Sequence, residues 1–437
     1  MFDLNMYAFP KGLHLLGRWQ SGDLDAKLEL TKVMDAAIAG ELDNFFKITE
    51  LPDRVHSTAC MQMLGLGVLN DLYGIESWDY YNVDAYRFVR ASLALSKLLG
   101  VEKPYVTWAL YALTCEPLGQ KMMYPDKYPP GSDPDTVLIN KNNWHELKTP
   151  DFTTGIPKMI DEILRVTEEL TGLPPMLQIS APYSLAADIY GQELLLEDVV
   201  HNPDMVNALL DHLGDVVLGP WMDHFYEKFP NGWVELSDAS GSPFFIGPEN
   251  CKSISIRAIK HMLRNKPYAD RVFCNNYRGD FTSEVKKKAR KSRRKTPEGT
   301  NSERGSLQEL TDAKISVNHY FIMRLDADKV DVSFYQDQAI KRNMALTSGI
   351  GSPQIDKNSI ANMDAARSEL AEIAKYHVDA IRRVCNATDL SENTYVASPW
   401  PSHLYFEDIN SQSSFELIEV ILHEVINSDP FERSPSA

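Results

Sequence analysis

A chain of 437 residues, 43% hydrophobic and 24% charged, can bury a large core, and a single barrel with insertions reaches this length. Its net charge of −17 argues against a general binder of nucleic acid or of a membrane surface, since both are polyanions. Five cysteines (Cys60, Cys115, Cys251, Cys274, Cys385) form no Cys-x-x-Cys pair, which fits reduced thiols and a cytoplasmic setting. No apolar run approaches a membrane span, and MFDLNMYAFPKGLHLLGRWQ lacks the pattern of a cleaved leader.

In chain order, the first 125 residues read as helical. DLDAKLELTKVMDAAIAGELDNFFK and DAYRFVRASLALSKLLG both repeat apolar residues three and four apart. This part is expected to pack on a barrel formed by residues 126–437. MMYPDKYPPGSDPDTV, rich in Pro, Asp and Gly, reads as a surface loop. Helices and short strands then alternate: IPKMIDEILRVTEELTG, PPMLQISAP, DMVNALLDHLGDVVLGPWMDHFYEKF, GWVELSD, IRAIKHMLRN, DRVFCNN, LQEL, KISVNHYF, KVDVSFY, MALTSGIG and TYVASPW. Alternation of this kind implies parallel βαβ units, and eight of them imply a closed (β/α)8 barrel, an α/β fold. EVKKKARKSRRKTPEGTNSERGS, residues 284–306, interrupts the pattern. It reads either as a mobile solvated insertion or as a polyanion-binding patch.

ISAPYSLAADIYGQELLLEDVVHNPDMVNALLDHL (179–213) carries Ala181, Pro182, Tyr183, Ser184, Leu185 and Ala186, then Gly191 and an Asn202-Pro203-Asp204 turn before a long helix. LSDASGSPFFIGPE follows a strand with Asp238, a small-residue loop and a Gly247-Pro248-Glu249 helix start. Together these resemble the uroporphyrinogen decarboxylase superfamily over about residues 110–425. The resemblance implies a (β/α)8 barrel with its site at the C-terminal ends of the strands. It also implies one of two activities on a small-molecule substrate. One is methyl transfer between a small donor and a corrinoid cofactor on a partner protein; the other is cofactor-free decarboxylation of a tetrapyrrole or another polycarboxylate. A non-catalytic binding protein on the same barrel is a third reading.

The sequence departs from both activities' signatures. The decarboxylases' N-terminal Arg-Gln-Ala-Gly-Arg motif is reduced to Gly17-Arg18 in LLGRWQSG. The methyltransferases' zinc-binding His-x-Cys-Gly stretch has VFCNNYRGD or VNHYF as its counterpart, which leaves Cys274 and His319 as the only metal candidates there. Several residues keep two readings. Asp238 is a capping acid or a catalytic acid-base group at the rim, and Tyr183 is a core aromatic or a pocket wall. Asn276 and Arg278 belong to a bland loop or clamp a substrate carboxylate, and His319 is a core or a substrate-binding residue. His403, after the last expected strand, is a second catalytic candidate. The glycines of GIGSP (349–353) serve a tight turn or let a ligand approach the backbone. Strand alternation predicts Trp233, Glu235 and Ser237 on one side and Val234, Leu236 and Asp238 on the other. If Asp238 turns into the barrel mouth, Asp238→Asn removes turnover and spares the melting temperature.

Overall fold

The computed structural model describes residues 3–51, 53–82, 84–106, 113–126, 128–274, 302–319, 321–324, 331–388, 403–406 and 408–432. Seven short strands carry the architecture: β1 (His56–Ala59), β2 (Met176–Ser180), β3 (Trp233–Ser237), β4 (Val272–Cys274), β5 (Phe321–Arg324), β6 (Ala345–Ile350) and β7 (His403–Phe406). Every pairing among them is parallel. One arc runs β1-β7-β6-β5 and the other β2-β3-β4. A two-residue antiparallel ladder, Met122–Met123 against Gly131–Ser132, lies between β1 and β2 in the chain. Among the described residues the ladders do not close into one ring.

Hydrogen bonds span both gaps between the arcs. On one side the side chain of Asn318, just ahead of β5, accepts from the Cys274 N–H (2.9 Å) and donates to the Cys274 carbonyl (3.1 Å). It thereby stands in for a neighbouring strand. On the other side the Lys103 N–H donates to the Ser57 carbonyl, and the Thr58 hydroxyl donates to the Lys103 carbonyl at 2.8 Å. Farther along the same segment, the Ser180 N–H donates to Thr114 Oγ1 at 3.1 Å.

Helices cover the outer faces. The helix Gly155–Thr171 buries Ile156, Ile160, Ile163, Leu164 and Leu170, an i, i+3, i+4 stripe, and ends at Gly172 with φ 73°. Pro203 opens the helix Pro203–Leu213 at its first position, where a missing N–H costs nothing. Gly247 (φ 79°) breaks the helical run after Asp238, so that the long outer helix restarts at Pro248 as the sequence suggested. Most buried apolar side chains form one cluster between strands and helices. A second, smaller cluster holds Cys60, Tyr105, Met176, Trp233, Phe273, Ala345 and Tyr405. Its members come from both arcs, so the arcs face each other across a shared interior.

Several expectations change. The N-terminal 125 residues are not a separate helical part, because β1 lies within them and pairs with β7 near the C-terminus. Four residues of HSTA gave too short a signal to stand out between helices. Val332 to Tyr335 of KVDVSFY open the helix Val332–Arg342, capped by the Asp331 carboxylate on the Ser333 N–H, and Lys329 and Val330 lie outside the described residues. KISVN closes the helix Ser302–Ile315 and the turn after it, and β5 starts later, at Phe321. That helix also takes in residues 302–306, the end of the expected mobile insertion; residues 284–301 lie outside the described residues. TYVASPW lies outside them too, and the last strand is HLYF. No described helix is long and apolar enough to cross a membrane.

If Asn318 closes the gap beside β4, Asn318→Ala strands the buried Cys274 amide and carbonyl. The expected loss is roughly 1–3 kcal/mol, read as a lower urea midpoint at unchanged slope. An unshifted midpoint contradicts that role.

Candidate functional site

The two-residue repeat of the strands sorts every side chain near the interior. On β3, Trp233 joins the inner cluster while Val234 and Leu236 join the outer one, so Glu235 and Ser237 also face inward. On β2, Met176 is inner and Leu177 and Ile179 are outer, which turns Gln178 and Ser180 inward. The register sets Met176 beside Trp233, Gln178 beside Glu235 and Ser180 beside Ser237. Ala345 is inner on β6, so Thr347 and Gly349 are inner too; Tyr405 is inner on β7, and so is His403.

The interior is therefore layered from the N-terminal to the C-terminal ends of the strands. Met176, Trp233 and Ala345 form a floor. Above it Gln178 and Glu235 are buried, 0% and 1% exposed, with Thr347 on the same inner face of β6. Nearer the C-terminal ends stand Ser180 and Ser237 on one arc, and Gly349 with its register partner Tyr405 on the other. Barrel interiors are ordinarily filled by branched aliphatic side chains, so a buried polar layer is a departure from plain packing.

That layer is wired together. The Tyr105 hydroxyl donates to Glu235 Oε2, and Gln178 Nε2 donates to Tyr105 Oη and, at 3.0 Å, to Glu235 Oε2. Tyr105 also sets its ring edge-on to Tyr405, 6.2 Å between centroids. It thus ties β2 and β3 of one arc to β7 of the other. Gln178 Oε1, Thr347 Oγ1 and His56 Nδ1 are buried with no hydrogen-bond partner among the described residues. Burial, together with the charges of Lys103 and Arg54, pushes His56 down to about 3, so its ring is neutral. Burial likewise holds Lys103 well below the usual lysine range.

Asp238 takes the other direction. It is wholly buried on the outer side, where its Oδ1 accepts from the Ser184 N–H (3.0 Å) and hydroxyl (2.9 Å) and its Oδ2 from the Ser255 hydroxyl. Gly241 packs so close that a Cβ there would collide with the carboxyl group. The alternation predicted for β3 holds, and for that reason Asp238 does not turn into the mouth. It clasps the start of the helix Pro182–Tyr190, the loop after β3 and the helix beyond it. Tyr183 is a core aromatic in the outer cluster, near enough for Asp238 to help raise its pKa.

His403 is likewise not at the C-terminal rim. It opens β7 at the opposite end, fully buried and in register with His56. Cys274 lies in the outer cluster and His319 is exposed; among the described residues no third His, Cys, Asp or Glu joins them to hold a metal. Asn276 and Arg278 lie outside the described residues. Arg18 is half exposed and ion-paired with Asp23 at 2.7 Å, far from a role in the interior. The sequence reading did not single out Glu235, Gln178 and Tyr105. Their signal was present: each of MLQIS and WVELS carries one strongly polar residue at its centre, on the face that alternation turns to the axis.

Parallel strands in two arcs around a shared interior, with helices outside, define the α/β class. The sequence model of the uroporphyrinogen decarboxylase (URO-D) family matches residues 74–219. That stretch includes ISAPYSLAADIYG and the Asn202-Pro203-Asp204 turn but not the loop after β3, and over it the resemblance to the superfamily is shown. A solved structure of a methyltransferase from Methanosarcina mazei matches with a TM-score of 0.60 at 12% identity, covering 90% of this chain and 96% of that one. At that identity the likeness is one of fold. No curated protein matches the sequence.

Burial raises Asp238 from 3.8 to about 6. A carboxyl whose pKa is higher folded than unfolded holds its proton better in the folded state, so its contribution to stability falls as pH rises from about 4 to about 6. Asp238→Asn lacks this titration and is expected to show a flatter stability curve across that window in urea titrations. It also puts an amide donor among groups that donate to Asp238, which costs roughly 1–3 kcal/mol. Parallel pH curves for both proteins contradict the assignment.

Proposed function

We propose that the protein is a methyltransferase of the uroporphyrinogen decarboxylase superfamily, moving a methyl group from a small donor to a corrinoid carried by a partner protein. The reading takes the two arcs as parts of one eight-stranded barrel. The observation that carries it is the buried Tyr105–Gln178–Glu235 layer, which lies one inward-facing position below Ser180 and Ser237 near the C-terminal ends of β2 and β3. A small donor is taken to bind at this layer and to meet its acceptor from the C-terminal face. A reduced corrinoid supplies the electron pair that takes the methyl group. Within this chain, Tyr105, Gln178 and Glu235 meet the donor's heteroatom and fix its orientation, and the acid–base role expected of Asp238 and His403 is dropped. Asn276 and Arg278, shortly after β4, remain assigned to a carboxylate of the donor. Zinc has no part in this reading, because the Cys274 sulfur belongs to the outer apolar layer.

The decarboxylase reading is weaker. A polycarboxylate calls for several converging cations, while the counterpart of the family's N-terminal arginine, Arg18, is held at the surface by Asp23 and Glu29.

Methyl transfer to cob(I)alamin, assayed across methoxylated aromatics and methylated amines, is expected to occur with at least one class. Glu235→Gln, which removes a charged hydrogen-bond acceptor, should lower the rate about ten- to a hundredfold. No transfer from any donor contradicts the assignment.

A further inference from the structure

Around the carboxylate of Glu235 the interior is aromatic. Trp233 lies two residues before it on the same strand face, Phe273 is its register partner on β4, and Tyr105 donates to it. The Trp233 and Phe273 rings stand 6.4 Å apart, and Tyr105 meets Tyr405 at 6.2 Å. All four rings belong to the inner cluster and are at most 7% exposed. On the inward-facing sides of β2 and β6, Gln178 Oε1 and Thr347 Oγ1 are fully buried oxygens with no hydrogen-bond partner among the described residues. Buried polar atoms left in this way call for an occupant, because each costs free energy until it meets a hydrogen-bond partner.

The chemistry of this lining is selective. The Glu235 carboxylate and the Gln178 amide oxygen repel an anion or a second carboxylate, while the Thr347 hydroxyl can donate or accept. A compact cation with a polarised methyl shell satisfies all of it. Its charge faces Glu235, its C–H or N–H groups face Gln178 and Thr347, and its methyls lie on the ring faces of Trp233, Phe273, Tyr105 and Tyr405. We infer that the layer is a binding site for a methylated ammonium group, so that the methyl donor is a small methylated amine. This rests on the methyltransferase reading for its consequence but not for its test. When the methyl group leaves to the corrinoid nucleophile, the pair of the broken C–N bond stays on nitrogen and the amine departs neutral. The positive nitrogen is thus a competent leaving group without a proton from the protein, which accounts for the absence of a rim acid at Asp238.

Binding is tested by titration calorimetry on the full chain without corrinoid, with choline as the probe and its uncharged isostere 3,3-dimethylbutan-1-ol as the control. Choline is expected to bind saturably and the isostere at least about tenfold more weakly, since ring faces attract a buried cation and not its neutral counterpart. Glu235→Gln and, separately, Phe273→Leu should each weaken choline by a similar factor. Gln178→Leu supplies an independent reading if either variant fails to fold. Equal binding of the two probes, absence of choline binding, or variants that bind choline as the parent does would each overturn the inference. Methyl transfer from methoxylated aromatics alone, with no choline binding, overturns this inference and leaves the methyltransferase reading standing. Choline binding without transfer from any donor does the reverse.

Discussion

The two-residue repeat of a β-strand sends Trp233, Glu235 and Ser237 to the interior and Val234, Leu236 and Asp238 to the helices, and the rest of the site follows from that division. Asp238 and Glu235 are three residues apart and both almost fully buried, yet they serve opposite faces of one strand. On the outer face a carboxylate is surrounded by donors from Ser184 and Ser255 and locks three segments together. On the inner face a carboxylate shares its oxygen with Tyr105 and Gln178. A shift of one residue in the register of β3 would exchange these roles.

Tyr105 gives the interior its coherence. It comes from the segment between β1 and β2, reaches Glu235 and Gln178 in one arc, and packs against Tyr405 in the other. Asn318 does comparable work on the opposite side through the Cys274 backbone. Beside β4 a side chain satisfies buried backbone groups that a continuous ladder would pair with backbone, and beside β1 and β2 the Lys103 backbone and the Thr58 and Thr114 hydroxyls take that part. The interior they enclose carries more ionisable groups than packing requires. Glu235 lies in the wall with buried His56, Lys103 and His403, and such groups are costly unless they have partners or a task.

The helix–strand alternation made the parallel architecture legible, and the strands MLQIS, WVELS, VFC and ALTSGI were found where the apolar runs stood. β1 was hidden because HSTA has four residues, two of them polar, with no turn signal strong enough to set it off from helices. VDVSFY alternates locally, and the Asp331 cap and the length of the segment decide for the helix Val332–Arg342. In the site, the loop after β3 drew attention to Asp238 because acids and glycines at strand ends are conspicuous. Glu235 was less visible, being flanked by apolar neighbours, although the alternation already placed it inside. His403 was placed at a rim because the strand was assigned to the residues before it; once β7 begins at His403, the same histidine marks the opposite end.

The central claim is that the Tyr105–Gln178–Glu235 layer is kept for binding and not for stability. The most direct measurement compares the parent with the double substitution Gln178→Met and Glu235→Met, which fills the same volume with apolar side chains. Replacing a buried polar network by well-packed apolar groups is often neutral or stabilising. The account predicts a urea midpoint equal to or above the parent's, with choline binding and methyl transfer both lost. A marked loss of stability with binding and transfer retained in the folded fraction would contradict it.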